Sequence, residues 1–178
     1  GSVLYGFNFT GVSQAVRFTA SGPTITSIPF LVVNDVNDNS NMPVSHGSSA
    51  SGNLMLGTSW NTAVTASNGI LGGATGLGNH AFIYDHSITT VSAIPYLTGG
   101  TWNVGEAINP AGNLFLVSGD SPAHANGELY LFDGTTTTPL GSPSNSWTPA
   151  AAVAGMTADG SVVVNGNYLR NSLGWFTL

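Results

Sequence analysis

Three tryptophans of this chain occur in closely similar polar settings. Trp60, Trp102 and Trp147 each follow a Ser or Thr and precede an Asn or Thr. An exposed indole flanked by hydroxyl and amide groups is a usual platform for stacking a sugar, because it joins an apolar face to hydrogen-bonding neighbours. The same rings would equally suit the contact between packed sheets. Both interpretations stay open, and the three tryptophans are the candidate ligand-binding residues.

An acidic and amide-rich stretch over residues 31–44 resembles a calcium loop. It reads LVVNDVNDNSNMPV and places Asp35 and Asp38 among four Asn. Calcium takes about six to eight oxygen ligands, usually including several carboxylates, and the chain has no second acidic cluster to complete that shell. Asn and Asp are also frequent in turns, because their side chains bond the nearby backbone. We therefore predict a turn between two strands, while calcium binding by Asp35 and Asp38 stays open.

The other residues that could act as ligands, bases or nucleophiles show no convergent pattern. His80 and His86 bracket one predicted strand on the same face, but no third ligand is indicated. The Gly-Asp-Ser sequence within residues 117–123 is not followed by a helix, so we interpret it as a loop. The Gly-rich segment 69–80 lacks the Lys and the helix of a phosphate-binding loop. We predict no catalytic residues, no metal site and no cofactor.

Charged residues are scarce in this chain, and its negative net charge limits the classes of partner that it can bind. Only 6% of the 178 residues are charged, Lys is absent, and the formal net charge is −6. Two Arg could not neutralise a row of phosphates, so we expect neither nucleic acid nor an anionic membrane surface as a partner. No apolar run approaches the roughly 18 residues of a membrane span, so we expect no membrane insertion. The absence of Cys excludes a disulfide framework and a thiolate zinc site.

One pattern recurs along the chain: a short polar segment, then a turn that contains Gly, then a short apolar run. Gly tolerates positive φ, and Gly-containing pairs between apolar runs therefore predict β-hairpins. The turns fall at Ser51-Gly52, Asn68-Gly69, Ala111-Gly112 and Asp159-Gly160.

A longer repeat lies between these hairpins, because residues 14–31 match residues 80–97 and residues 128–142 are a looser third copy. Helical periodicity is almost absent. Units of about 45 to 50 residues with four strands each predict a β-propeller-like, all-β fold of four-stranded antiparallel blades. A β-sandwich is the alternative. We expect one domain over residues 1–178, with about three and a half units.

The two ends of the chain read as strands of incomplete blades. Residues 1–4 resemble the outgoing half of the hairpin at Asp159-Gly160. A closed propeller of about six or seven blades would need roughly 270 to 350 residues at this period. We therefore expect a fragment, a small closed variant or a subunit completed by other chains. We also predict that both terminal segments are paired strands, preferably paired with each other.

Residues 78–119 resemble one unit of the bacterial extracellular HAF repeats. In that family a His-Ala-Phe strand leads to a Gly-Gly-Thr-aromatic segment and then to a Gly-containing hairpin. These motifs stand here at residues 80–82, 99–102 and 107–112. The resemblance implies a propeller-like β fold on a secreted bacterial protein, and it implies no shared catalytic activity.

Two functions fit these observations, and both place the chain outside the cell or on its surface. The first is a secreted, non-catalytic binding or adhesion module with a surface glycan as its partner. The second is a structural subunit of an extracellular filament, sheath or coat, whose partners are other copies of the chain. Low charge favours the second, because it leaves little electrostatic repulsion between copies. An enzyme is a distant third.

Overall fold

The computed structural model describes residues 3–8, 14–19, 22–28, 44–59, 79–144, 147 and 154–178. All regular structure in these ranges is β-strand, arranged in four antiparallel sheets. The acidic stretch over residues 31–43 and the predicted hairpin at Asn68-Gly69 lie outside them. The predicted turn at Asp35 and Asp38, and the calcium question with it, therefore stay predictions.

Each sheet is a meander of consecutive strands, and we call the four sheets blades I to IV. Blade I contains β1 (Val3–Asn8), β2 (Gln14–Thr19) and β3 (Gly22–Ser27). Blade II contains β4 (Val44–Ser48), β5 (Leu54–Ser59), β6 (His80–Asp85) and β7 (Thr90–Ala93). Blade III contains β8 (Asn103–Ile108), β9 (Phe115–Ser121), β10 (His124–Phe132) and β11 (Thr137–Gly141). Blade IV contains β12 (Ala154–Met156), β13 (Val163–Asn165), β14 (Tyr168–Asn171) and β15 (Gly174–Thr177).

Each blade contacts the next one in chain order. Strand β4 contacts β1 and β8, and β8 in turn contacts β12. This serial contact of separate sheets is the arrangement of propeller blades, whereas a sandwich would pack two larger sheets face to face.

Blade I is one strand short among the described residues. The repeat of residues 14–31 in residues 80–97 makes β2 the counterpart of β6, so β1 corresponds to β5. The missing strand is therefore the counterpart of β4. The prediction that β1 and β15 are strands is confirmed, but their pairing with each other is wrong. Strand β1 pairs with β2 and β15 with β14, each at the edge of a different sheet.

The apolar strands bury both of their faces. Side chains alternate between the two sides of a strand, yet residues 55–59 and 115–119 are buried throughout. Three apolar clusters account for this, one at each contact between successive blades. Burial of both strand faces is what the compact apolar runs of the sequence predict.

The predicted hairpins at Gly52, Gly112 and Gly160 share one hydrogen-bonded turn. In the turn over residues 109–114, the amide oxygen of Asn109 accepts from the backbone N–H groups of Gly112, Asn113 and Leu114 at 2.9 to 3.1 Å. The backbone of Asn109 also donates to the carbonyl of Leu114 at 3.0 Å. In the other two turns the side-chain acceptor is the hydroxyl of Ser49 or Thr157. The turn glycine matters because its φ is positive, at +77° for Gly112.

The same glycine seats its turn against the preceding blade. A Cβ on Gly112 would lie 2.9 Å from Leu54 Cδ1 and 3.0 Å from Ser49 Cβ, both in blade II or its turn. Gly52 meets Val3 of blade I in the same manner. The turn glycine therefore sets both the local backbone and the spacing between blades.

We expect Gly112→Ala to lower the free energy of unfolding by about 2 to 3 kcal/mol, because it adds a steric clash between blades to the cost of positive φ. Gly134→Ala is the matched control. Gly134 also has positive φ, at +95°, but a Cβ there would meet nothing within 4 Å. Its substitution should cost only about 1 kcal/mol. Equal losses in urea denaturation would contradict the seating of the turn on blade II.

Candidate functional site

Trp102 lies just before β8 and is buried, with 4% of its surface exposed. The segment that leads into it is held by Asp120. Asp120 Oδ1 accepts the backbone N–H groups of Thr101 at 2.6 Å and Trp102 at 2.9 Å, and Oδ2 accepts the Thr101 hydroxyl at 2.8 Å. A Cβ on Gly100 would collide with the carbonyl oxygen of Asp120. The Gly-Gly-Thr-Trp sequence is thus accounted for by packing and hydrogen bonding.

Trp147 is also buried, with 5% of its surface exposed. It belongs to the apolar cluster between blades III and IV, together with Leu116 and Val163. Its ring centroid lies 6.2 Å from that of Trp175, with the two rings tilted by 43°. Trp147 therefore fills the contact between two blades.

The expectation of exposed sugar-stacking rings is wrong for Trp102 and Trp147. Both side chains are enclosed by protein, so neither presents a free indole face to a ligand. Trp60 lies outside the described residues, and ligand binding by Trp60 stays a prediction.

Asn103 is the centre of a buried hydrogen-bond network between blades II and III. Its Oδ1 accepts the backbone N–H of Ala81 in β6 at 2.6 Å. Its Nδ2 donates to the carbonyl of Ile94 at 2.9 Å and to Tyr130 Oη at 2.8 Å. Tyr130 Oη in turn donates to the carbonyl of Pro95 at 3.0 Å. Every polar atom of the Asn103 side chain is therefore used inside the protein.

His80 and Tyr96 form a second part of the same contact. The two rings stack with centroids 4.3 Å apart. His80 Nε2 lies 3.2 Å from the carbonyl oxygen of Ile94, which can only accept, so Nε2 carries a proton. Nδ1 then accepts from Tyr96 Oη at 2.9 Å. Burial lowers the pKa of His80, which fits this neutral tautomer.

Glu106 is a buried acid between blades III and IV. Its Oε1 accepts the hydroxyl of Ser118 in β9 at 2.6 Å, and its Oε2 accepts Asn165 Nδ2 in β13 at 3.1 Å. Burial raises the pKa of Glu106 to about 8, although both hydrogen bonds act in the opposite direction. The carboxyl is therefore largely protonated at neutral pH, which is a common property of acids at functional sites.

The remaining candidates from the sequence do not converge within the described residues. His86 lies in the turn after β6 and bonds Tyr84 Oη at 3.1 Å, far along the strand from His80. Ser121, from the Gly-Asp-Ser sequence, donates to Glu128 at 2.5 Å. That sequence forms the end of strand β9, so its interpretation as a loop is wrong. No group of three potential metal ligands is formed in the part of the chain that the structure describes. That part also holds no helix of the length and hydrophobicity needed to span a membrane.

Sequence reasoning did not single out Asn103, Glu106 or Tyr130, and it considered Asp120 only as part of the Gly-Asp-Ser sequence. One signal was available, because Glu106 stands inside the otherwise uncharged strand NVGEAI. An acid in such a strand needs a buried partner or a proton. Asn103, Glu106 and Tyr130 therefore lie at the contacts between blades, which form the best candidate site of the molecule. Asp120 instead bonds within blade III.

Two solved structures resemble this chain in their fold. A crystal structure of TolB from Acinetobacter baumannii matches with a TM-score of 0.54 and 16% identity, over 99% of this chain and 40% of that one. A TolB structure from Agrobacterium tumefaciens matches with a TM-score of 0.61 and 12% identity, over 97% of this chain and 52% of that one. The chain thus spans about half the length of these proteins or less.

No protein-family model matches the chain, and no curated protein does. At these identities the structural likeness concerns the fold alone. Together with the four serial antiparallel sheets, it confirms the prediction of an all-β, propeller-like fold.

Proposed function

We propose that this chain is a non-catalytic binding or adhesion module of a secreted protein, with a surface glycan as its ligand. The observation that carries the proposal is that the polar side chains of the chain form their hydrogen bonds within the protein. Four polar side chains form hydrogen bonds that hold strands and blades together, namely those of Asn103, His80, Glu106 and Asp120. Such groups support a rigid scaffold, and recognition is left to the surface turns.

The charges of the described surface favour an uncharged, hydroxyl-rich ligand. Lys is absent from the chain, Arg17 is buried, and Arg170 donates from Nε to the carbonyl of Leu140 at 2.9 Å. The exposed turns over residues 87–90 and 133–136 carry mainly hydroxyl groups, together with the carboxyl of Asp133 and the apolar side chain of Ile88. These groups bond well to sugar hydroxyls and poorly to phosphates or sulfates.

The resemblance of residues 78–119 to the HAF repeats supports the secreted location. The structure explains the residues of that resemblance by turns and packing, as shown for Gly100, Thr101 and Trp102. A scaffold motif of this kind is compatible with many ligands, since function resides in sites carried by a fold.

A glycan array probed with residues 1–178 tests this function. We expect binding to a polysaccharide without release of shorter products. Trp60→Ala should weaken binding by at least about ten-fold through loss of ring stacking, with an unchanged unfolding temperature. Trp147→Phe is the matched control, because it should lower stability and leave the affinity unchanged. Absence of glycan binding by the wild-type chain would contradict the proposal, and glycan cleavage would contradict its non-catalytic part.

A structural subunit of an extracellular filament, sheath or coat is the second candidate function. The observation that favours it is the exposure of apolar residues at both ends of the blade series, including Leu4 and Phe176. The low charge of the chain adds to this, because little repulsion would oppose contact between copies.

A further inference from the structure

Successive blades pack by one repeated rule, which is clearest between blades II and III. Phe115 and Phe132 are cross-strand neighbours that face the preceding blade, and we call such a set the leading row. Leu56 and Ile83 are neighbours that face the following blade, and we call such a set the trailing row. The two rows share one apolar cluster. A leading row is therefore covered by the trailing row of the blade before it.

The rule holds at the other two contacts. Val163 in the leading row of blade IV packs with Leu116 and Leu131, the trailing row of blade III. Met55 and Tyr84 in the leading row of blade II are buried, with Tyr5 of blade I packed against them.

Blade I has a leading row that nothing in the described chain covers. It consists of Leu4, Phe18 and Ile25, which are direct neighbours across three strands. Phe18 is partly buried, but Leu4 is 68% exposed and Ile25 is 59% exposed. Their counterparts in blade II are Met55, which is fully buried, and Val91, which is partly buried. The row therefore has the apolar character of a blade contact without a covering blade among the described residues.

Blade IV has the matching trailing row, which consists of Val164, Leu169 and Phe176. Phe176 is 44% exposed. Its charged neighbour Arg170 lies in register with Val163, on the opposite face of the blade. Contact with this row would therefore bury apolar side chains without burying a charge.

We propose that the leading row of blade I binds the trailing row of blade IV in a second copy of this chain. Both rows are of the types that pack on each other inside the molecule, so the contact continues an interface that the fold already uses. Such a head-to-tail contact joins different surfaces of two copies, and it either closes a ring or extends a fibre. Two copies supply eight blades, two of them with three strands among the described residues, and eight lies within the range of about four to eight blades known for propellers. The proposal deepens the second candidate function and does not depend on glycan binding.

Molar mass in solution across the micromolar range is the first measurement. We expect species heavier than the 18.1 kDa monomer, in multiples of that mass. Leu4→Ser and Phe176→Ser should each weaken association by at least about ten-fold, since each removes an exposed apolar side chain from one row. Ile88→Ser is the matched control, because Ile88 is also 68% exposed but lies in the turn after β6. All three variants should remain folded, with cooperative thermal unfolding.

A mixture of the Leu4→Ser and Phe176→Ser variants tests whether the contact joins the leading row of one copy to the trailing row of another. The Leu4→Ser chain keeps its trailing row and the Phe176→Ser chain keeps its leading row, so an equimolar mixture restores one intact contact. We expect a one-to-one dimer in the mixture and monomers in each separate sample. A wild-type monomer at every concentration, association that neither variant weakens, or a mixture that stays monomeric would each overturn the proposal. The glycan array is read separately, so its failure is distinguishable from this one.

Discussion

The free energy of unfolding of this chain is expected to contain a part that falls as the pH rises from about 4.5 to about 8. The cause is Glu106, because its burial in the folded protein raises its pKa from 4.5 to about 8. Between those values the folded state holds a proton that the unfolded state has lost, so rising pH favours unfolding. The stabilisation is fully present below about pH 4.5 and is lost through pH 8. Its upper limit is roughly 5 kcal/mol.

Glu106→Gln isolates this effect. Gln has the same shape, can accept from Asn165 with its oxygen, and can donate to the Ser118 hydroxyl with its amide. We expect the variant to match the wild type near pH 4.5 and to exceed it in stability at pH 8. The measurement is urea denaturation of both proteins at several pH values. A difference between them that stays constant over this range would contradict the buried, protonated state of Glu106.

The pH dependence of stability that His80 contributes has the opposite sign. The wild-type curve alone therefore does not isolate the contribution of Glu106, and the Glu106→Gln variant is needed. Burial lowers the pKa of His80, so its contribution is present above about pH 6.5 and is lost as the pH falls. The wild-type curve therefore contains both trends. Because Glu106→Gln leaves His80 in place, subtraction of the two curves removes the histidine contribution.

Asn103→Ala should lower the free energy of unfolding by about 3 to 5 kcal/mol. It removes the acceptor for the backbone N–H of Ala81 and the donor to Tyr130 Oη, both inside the protein. Buried groups without partners carry a desolvation cost, and the lost volume adds a cavity.

Asn53→Ala is the control for this change. Asn53 is an exposed residue of the turn between β4 and β5, so its substitution should stay within about 0.5 kcal/mol of the wild type. Both variants are measured by urea denaturation at pH 7. A loss below about 1 kcal/mol for Asn103→Ala would show that the network does not hold blades II and III together.

The fold was predictable because its determinants are local. The turn of residues 109–114 needs an acceptor at Asn109 and a glycine at Gly112, and both are read within six residues. The same spacing at Ser49 and Thr157 predicts the same hairpin in other blades. The apolar runs between these turns then leave few arrangements other than stacked β-sheets.

The candidate site was less predictable because its contacts join distant segments. Trp102 looks the same in sequence whether its ring is exposed or buried, and the Asp120 that fixes its backbone is 18 positions away. Glu106 meets Asn165 across 59 positions. The pairing of the terminal strands failed for a related reason, since β1 and β15 lie in blades that do not pair with each other.

A double-mutant cycle between Glu106 and Asn165 tests most directly whether polar side chains hold the blades together. The two residues lie in blades III and IV, and the cycle cancels their interactions with other groups. Glu106→Ala, Asn165→Ala and the double variant are measured by urea denaturation at pH 6, where Glu106 is protonated in the folded protein. We predict a favourable coupling energy of about 1 to 2 kcal/mol. Strictly additive losses would contradict it.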